Sequence, residues 1–168
     1  ACLNIDISNA RVLTHVLAGS GTEADPYLLY DAEDMMAVGD FLSKGTDTEA
    51  KYFKMVNDID MNMASFTALT PGNYAYKIDF TSDITNGSRK TLRNLKIENQ
   101  RYASIFGILN GNVHDVDFEN IQVEQINNAT ATGVICGFLG NMGDYVGNIK
   151  NVDIRKYANR THGFVGAD

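Results

Sequence analysis

The segment Asn57-Asp58-Ile59-Asp60 contains a pair of aspartates spaced to share a hard cation. Asp58 and Asp60 are two positions apart, so both carboxylates leave the same face if this segment is a strand. Calcium takes about six to eight oxygen ligands, and one pair of carboxylates supplies only part of that shell. The spacing predicts either a calcium site at Asp58 and Asp60 or, as the favoured interpretation, carboxylates that face solvent. No other cofactor is indicated.

A basic cluster offers the proton-abstracting group of a polysaccharide lyase, and its members are Arg89, Lys90, Arg93 and Lys96. When the repeated segments described below are aligned, Lys96 shares its position with Asp60, Asp117 and Asp153. A basic side chain in this mixed file can remove a proton from a sugar. Ion pairs on a solvent-facing surface explain the same file, and such pairs contribute little. The sequence therefore favours a protein without enzymatic activity and keeps the enzyme as an alternative.

Tyrosines are the predicted ligand-binding residues, since the chain has eight of them and no tryptophan. Tyr74 and Tyr76 lie on one face of a short strand after a turn, and Tyr145 lies in the loop MGDYVGN. Exposed tyrosines can stack on sugar rings or anchor a protein partner. Packing in a half-buried position is the competing interpretation for each.

Histidine and cysteine form no recognisable motif. His15, His114 and His162 are far apart and lack the local spacing of metal or catalytic residues. Cys136 lies in an apolar segment, where we predict a small core residue rather than a nucleophile. Cys2 fits a lipidation site or an arbitrary end of the sequence. No catalytic residue is predicted.

The stretch GSGTEADPYL, residues 19–28, shares only its glycines with a phosphate-binding loop. Such a loop continues with a lysine and a serine or threonine, whereas Glu23, Asp25 and Pro26 follow here. Carboxylates repel phosphate and proline has no N–H to donate. We therefore predict a turn and a short extended segment, followed by one amphipathic helix that Asp31 caps.

The composition indicates one acidic globular domain. The 168 residues are 44% hydrophobic and carry a net charge of -7, which supports a single core. The negative charge opposes binding to nucleic acid, and no run of about 18 apolar residues is present for membrane insertion. We expect residues 1–18 to be a leader strand or an upstream linker, and residues 19–168 to form a repeat domain.

Four segments repeat the order apolar, polar, Asn or Asp, apolar, polar, apolar, at residues 56–61, 92–97, 113–118 and 149–154. Short strands separated by Gly and Asn predict an all-β parallel β-helix, with an antiparallel sandwich as the alternative. Stacked coils would form two apolar files and one polar ladder, which are Val56, Leu92, Val113 and Ile149; Ile59, Leu95, Val116 and Val152; and Asp58, Asn94, Asp115 and Asn151.

A second motif places a glycine among apolar residues at 105–109, 135–139 and 162–165. Its last occurrence begins a unit that the sequence does not finish. We therefore expect the repeat domain to be truncated at its C-terminus.

Four segments occur in an order found in one family: GSGTEADPYLLYDAEDMMAV, KYFKMVNDIDMN, SIFGILNGNVHDVDFENIQV and VICGFLGN. This order resembles the GLUG-motif repeat proteins of bacterial surfaces, which are common in Bacteroidetes and are regarded as adhesins. The resemblance covers roughly residues 19–166, although the glycine units lack the family's leading glycine and residues 78–90 replace a typical family segment. It implies a right-handed β-helix, a cell-surface or secreted location that includes an outer-membrane lipoprotein, and no established catalytic residues.

These observations predict a non-enzymatic adhesion module that binds a glycan or a host extracellular protein and adjoins other domains of the same parent chain. A carbohydrate-active enzyme of the lyase type is the alternative. A structural spacer of a larger surface protein is the second alternative.

Overall fold

The computed structural model describes residues 15–42, 50–66, 77–99, 102–125, 131–139 and 147–155. They form β1 (Tyr27–Leu29), α1 (Ala32–Leu42), β2 (Lys51–Met55), β3 (Ile59–Asp60), β4 (Ser65–Phe66), β5 (Lys77–Ser82), β6 (Lys90–Asn99), β7 (Tyr102–Ala103), β8 (Phe106–His114), β9 (Val116–Gln125), β10 (Ala131–Thr132), β11 (Cys136–Leu139), β12 (Gly147–Lys150) and β13 (Ile154–Arg155). Strands predominate and one short helix is present in these ranges, which confirms the all-β class. None of their helical residues form a span long and apolar enough to cross a membrane.

Two parallel sheets contain most of the strands. The first sheet has the order β1, β2, β5, β8, and both β11 and β12 pair with β8; the second has the order β3, β6, β9, β13, and β4 also pairs with β6. A two-stranded sheet joins β7 to β10. All pairs of named strands are parallel. This pairing fits the predicted parallel β-helix and contradicts the antiparallel sandwich.

The glycine stretch is a turn, as the sequence predicts. The N–H groups of Ser20 and Thr22 donate to the carbonyl of Asp25 at 3.1 and 3.2 Å. Gly21 has a φ of +75°, and a Cβ at this position would lie only 2.2 Å from the ring of Tyr27. Both the backbone conformation and the contact with the ring therefore require glycine here.

The predicted helix is also confirmed, together with its cap. The Oδ1 atom of Asp31 accepts hydrogen bonds from the N–H groups of Glu33 at 2.9 Å and Asp34 at 3.1 Å. Asp34 is itself buried, and its carboxylate accepts from the N–H of Tyr30 at 2.8 Å and lies 2.6 Å from His15 Nε2. These contacts attach the first turn of α1 to the chain on both sides of β1.

Asparagine and aspartate residues bend the chain at defined points of the two sheets. Asp115 connects β8 to β9 and Asn151 follows β12, and both have a φ of +53°. Asn94 and Asn120 lie inside β6 and β9 with φ of +54° and +50°. Left-handed backbone is disfavoured for most side chains, and Asn and Asp accept it most readily. This requirement explains the Asn or Asp in three of the four repeated segments.

The first predicted apolar file is only partly correct. Val113 aligns with Ile149 as predicted, but Leu92 aligns with Ile59 and Phe118 rather than with Val113. The second repeated segment lies entirely in the second sheet, whereas the third crosses from the first sheet to the second. The two segments look alike because each contains a left-handed bend, and not because they occupy equivalent places in the stack.

The predicted polar ladder divides into two ladders for the same reason. Asn151 Nδ2 donates to Asp115 Oδ1 at 2.9 Å, as predicted. Asn94, in contrast, donates to Asp60 Oδ1 at 2.9 Å and accepts from Asn120 Nδ2 at 2.6 Å. The first ladder joins the bends at Asp115 and Asn151, and the second joins the bends at Asn94 and Asn120 to Asp60 of β3.

The core consists of apolar side chains stacked between aligned strands. Phe53 aligns with Phe80 across β2 and β5, and both rings are fully buried. In the second sheet, Leu95 aligns with Ile121, and its predicted alignment with Val116 is wrong. Burial of such side chains supplies the main stabilisation of the fold.

Asn94 provides a test of the bend requirement. Asn94→Val places a β-branched residue in left-handed backbone and removes the amide that bonds to Asp60, so we expect the free energy of unfolding to fall by about 3 kcal/mol. Asn94→Gly loses the same hydrogen bonds but accepts the backbone conformation, so we expect a fall of about 1 kcal/mol. Urea unfolding measures both values. Equal losses for the two variants would contradict the requirement.

Candidate functional site

The outward side chains of the first sheet form a continuous polar surface. Burial alternates along β5, where Ile78 and Phe80 enter the core and the residues on either side of each point outward. The outward residues of β2, β5, β8 and β12 are hereafter called the polar face, and they are Tyr52, Lys54, Lys77, Asp79, Thr81, Asn112, His114, Asn148 and Lys150.

One row of the polar face is held together by its own hydrogen bonds. The register aligns Tyr52 with Asp79, Asp79 with Asn112, and Asn112 with Asn148. Asn148 Nδ2 donates to Asn112 Oδ1 at 3.1 Å, and Asn112 Nδ2 donates to Asp79 Oδ2 at 3.0 Å. Because an ionised carboxylate only accepts, Asp79 fixes the direction of this chain of bonds. The second N–H of each amide is not used within the row.

A second row lies two residues further along the strands. Lys54 aligns with Thr81, and His114 aligns with Lys150. The hydroxyl of Thr81 on β5 lies 3.4 Å from His114 Nδ1 on β8. This contact joins the two aligned pairs into one row across the four strands. The row therefore combines two ammonium groups, a hydroxyl and an imidazole.

His114 lies between two carboxylates. Its Nε2 atom is 3.1 Å from Asp79 Oδ1, and its Nδ1 atom is 2.7 Å from Asp115 Oδ2. Partial burial lowers the pKa of His114, but the hydrogen bonds with Asp115 and Asp79 outweigh that effect and hold the pKa above its ordinary value. An imidazolium that donates from both nitrogens has no lone pair to accept a proton. In this protonated form, His114 cannot activate the Thr81 hydroxyl as a nucleophile.

Two open grooves cross the polar face. One has a volume of about 420 Å³ and includes Tyr52 in its lining. The other has a volume of about 520 Å³ and includes His114 and Lys150. Asn112 and Asn148 line both grooves, so the two are adjacent. Together they offer an extended surface rather than an enclosed pocket.

The outward side of the second sheet is different, because its charged groups pair with one another. Arg89 Nε lies 2.7 Å from Asp117 Oδ1, and Arg155 Nη2 lies 3.0 Å from Asp117 Oδ2. Asp153 contacts both arginines as well. Asp117 is buried, so these arginines compensate a carboxylate that would otherwise be costly to bury.

Lys96 is not in the file that the sequence predicts, and this prediction is wrong. The register places Lys96 beside Ser65 and Gln122. Its Nζ atom lies 2.5 Å from Glu98 Oε1 and 3.4 Å from Glu124 Oε2. The hydrogen bond to Glu98 raises the pKa of Lys96, so the ammonium form is stabilised. The left-handed bend at Asn94 shifts the alternation of β6, which the alignment of segments did not include.

The predicted calcium ligands accept hydrogen bonds from the protein. Asp58 Oδ1 accepts from the N–H of Thr91 at 2.8 Å. Asp60 accepts from the N–H of Asn62 at 2.9 Å and from the amide of Asn94. In the described ranges, no group of three or more His, Cys, Asp or Glu residues could hold a metal ion. A calcium site at Asp58 and Asp60 stays a prediction.

The predicted tyrosines lie outside the described residues. Tyr74, Tyr76 and Tyr145 fall in ranges 67–76 and 140–146, and their role in binding stays a prediction. Tyr52 lies on the polar face, and sequence reasoning missed it as a site residue. Its signal was the alternation of KYFKM, in which Phe53 is buried and its neighbours point outward.

Cys136 packs against the core, as the sequence predicts. Its thiol is free, and burial raises its pKa to about 11. A thiol with this pKa is protonated at neutral pH and is a poor nucleophile.

The stability contributed by His114 should depend on pH. Because its pKa is raised in the folded protein, the contribution is complete below the unfolded pKa of about 6.5 and is lost as pH rises through the folded value. We expect His114→Gln to destabilise the protein most at pH 5 to 6 and progressively less above pH 7. Urea unfolding of both proteins across this range measures the difference. Comparison of each protein with its own His15→Gln variant separates the effect from that of His15, whose pKa is also raised.

The comparisons with known proteins concern the fold more than the site. No family model matches the chain, and no curated protein matches it. A crystal structure from Bacteroides ovatus, described as a "putative immunoglobulin A1 protease", is similar with 27% identity and a TM-score of 0.65. The similarity covers 81% of this chain and 39% of the other. The chain therefore resembles well under half of a longer Bacteroidetes protein, which is consistent with the expected bacterial source.

Proposed function

We propose that this chain is a non-enzymatic binding module of a bacterial cell-surface protein and that its polar face recognises a glycan. The observation that carries the proposal is the row of Asp79, Asn112 and Asn148, whose polar groups already hold one another in place beside the ring of Tyr52. Groups fixed before binding lose little conformational freedom when a ligand arrives. An aromatic ring suits the apolar face of a sugar, and amides suit its hydroxyl groups.

The spacing of the row favours a polymeric ligand. Neighbouring strands lie about 4.8 Å apart, so the row from Tyr52 to Asn148 presents a side chain at each step across the four strands. A glycan chain that crosses the strands meets a new polar group at each of these steps. The open shape of the two grooves suits a ligand that continues beyond the face at both ends.

The proposed architecture is a right-handed parallel β-helix built as a short solenoid. Parallel strands that follow one another in chain order support it, and crossover connections between parallel strands are right-handed in nearly all proteins. Each coil of a solenoid contacts only its neighbours, so a row of binding groups lengthens as coils are added. This architecture therefore supports recognition of extended ligands.

The proposed location is the cell surface or the medium of a Bacteroidetes bacterium, with lipid attachment at Cys2 as one form. The GLUG resemblance and the similarity to the Bacteroides ovatus protein support it. Adhesion to a host protein and calcium bound at Asp58 and Asp60 remain part of the proposal. Adjacent domains of the same parent chain are expected partners, because the chain aligns with only 39% of the Bacteroides ovatus chain.

The Bacteroides ovatus protein favours a second candidate, in which this chain is the recognition part of a larger protease. A segment that spans 39% of such a chain would hold the substrate while another part cleaves it. Lys96 supports the lyase alternative less than the sequence does, because its ammonium group is paired with Glu98 and Glu124. A structural spacer is the outcome expected if no ligand exists.

An array of glycans and extracellular matrix proteins, tested with calcium and with chelator, checks the proposal. We expect saturable binding to a glycan without formation of product. Tyr52→Ala and Asn112→Ala should each weaken binding about five- to tenfold, because each removes one packing or hydrogen-bonding group worth about 1 kcal/mol. Mass analysis of the glycan after incubation detects any cleavage.

Gln122→Ala is the matched control, since Gln122 is exposed on the second sheet and its amide donates to Glu124 in the same strand. This variant should bind as the parent does. An equal loss of glycan binding in Tyr52→Ala, Asn112→Ala and Gln122→Ala would contradict the proposed site. If binding is weakened only by Tyr74→Ala, Tyr76→Ala or Tyr145→Ala, the site lies at the predicted tyrosines instead. Absence of binding to every ligand on the array would favour the structural spacer.

A further inference from the structure

We infer that the ligand of the polar face is an anionic glycan that carries carboxylate or sulfate groups along its length. This inference rests on the proposed glycan-binding function and adds the chemical class of the ligand.

The polar face is basic, although the chain as a whole is acidic. The face contains Lys54, Lys77 and Lys150 together with His114, against Asp79 on the face and Asp115 at the bend beside it. The whole chain, in contrast, has a net charge of -7. Charge segregated in this way produces a positive potential on one side of a protein. A negatively charged ligand is attracted to this face and repelled by the remaining surface.

The carboxylates at the centre of the face already accept hydrogen bonds from other residues of the protein. Asp79 accepts from Asn112 with one oxygen and from His114 with the other. Asp115, which follows His114 at the bend, accepts from Asn151 and from the His114 ring. The His114 ring and the amides therefore hold these carboxylates within the protein, and Lys150 adds a smaller attraction at Asp115. In the described ranges, none of the three lysines forms a salt bridge with either carboxylate.

Asp83 lies at the end of β5, beside the polar face. Its carboxylate accepts from the N–H of Thr85 at 3.0 Å and from the Thr85 hydroxyl at 3.2 Å. These bonds, with smaller contributions from Lys54 and Lys90, lower the pKa of Asp83. The carboxylate is thus directed toward its own turn, and Lys54 is not held in a salt bridge with it by any contact in the described ranges.

Hydrogen-bond donors are what the face offers to a ligand. The groove of about 520 Å³ is lined by the polar side chains of Asn112, His114, Asn148 and Lys150 and by the apolar side chain of Ile149. The ammonium group and the second N–H of each amide are donors, and a carboxylate or sulfate accepts several such bonds at once. The groove therefore matches an anionic substituent better than a neutral hydroxyl.

Cations of the second sheet, unlike the lysines of the polar face, are paired with carboxylates. Outward cations of that sheet contact carboxylates: Arg93 contacts Asp60, and Lys96 contacts Glu98 and Glu124. Pairing of this kind leaves little net attraction for an anion. Among the described residues, the two faces thus differ in the availability of their positive charge, and the polar face is the better suited to an acidic chain.

The test compares an oligogalacturonate, a heparin-derived sulfated oligosaccharide and the methyl-esterified oligogalacturonate as a neutral control, by calorimetry at low and at moderate salt. We expect at least one anionic oligosaccharide to bind about tenfold or more tightly than the ester, because each charge-assisted bond is worth more than a neutral one. Binding should weaken as salt rises. Preference for carboxylate or sulfate shows which group supplies the charge.

Lys77→Gln and Lys150→Gln should each weaken binding of the anion about three- to tenfold and leave weak binding of the ester unchanged. Lys96→Gln is the matched control, because it removes the same charge from the second sheet. Circular dichroism verifies that the variants fold. Equal weakening by Lys96→Gln would show that only net charge matters and would overturn the inference.

The outcomes separate this inference from the proposed function. Binding of neutral glycans through Tyr52 and Asn112, with no preference for the anions, would overturn the anionic class and leave glycan recognition intact. Absence of binding to any of the anionic and neutral oligosaccharides, and to the wider glycan array, would overturn both.

Discussion

Left-handed asparagine and aspartate residues determine how the strands of this protein are placed. At these residues the backbone turns while the side chain bonds to the equivalent bend of a neighbouring strand, as Asn151 does with Asp115. A single residue thus changes the direction of the chain and fixes its alignment. Hydrogen bonds of this kind are individually modest, worth about 1 kcal/mol, but a shift by one residue would break them together and would expose the buried face of each strand. The bends therefore fix the register on which every other feature depends.

The candidate site follows directly from this constraint. Asp115 ends β8 at the bend, and its carboxylate reaches the ring of His114, the last residue of that strand. Ser82, the last residue of β5, donates its hydroxyl to the carbonyl of Asp115. The bend is thereby tied to the strand before it in space, and His114 is brought beside Asp79 of that strand. Contacts that hold the fold also organise the polar face.

Local features of the fold were predictable from the sequence, and the register was not. The turn at residues 19–25 and the cap at Asp31 depend on neighbouring residues, and both were predicted correctly. Alignment between strands depends on the length of each connection, which varies: 33 residues separate Asp79 from Asn112, but 36 separate Asn112 from Asn148. With no constant period, comparison of segments identified the bends and misplaced Leu92. Polar residues such as Tyr52 and His114 share no local motif, because only the register brings them onto one face.

The hydrogen bonds of the polar face also have a direction, which bears on how a ligand can lie. The amide chain runs from Asn148 through Asn112 to Asp79, because the carboxylate can only accept. Beyond Asp79 the row ends at the aromatic ring of Tyr52, and at the opposite end it ends at the amide of Asn148, while a lysine lies two residues further along the strand at both ends. A glycan chain also has two different ends and a fixed orientation of its substituents. Since the row has an aromatic ring at one end and an amide at the other, with the amide bonds running in one direction between them, the two orientations of such a chain are not equivalent, and one should be preferred.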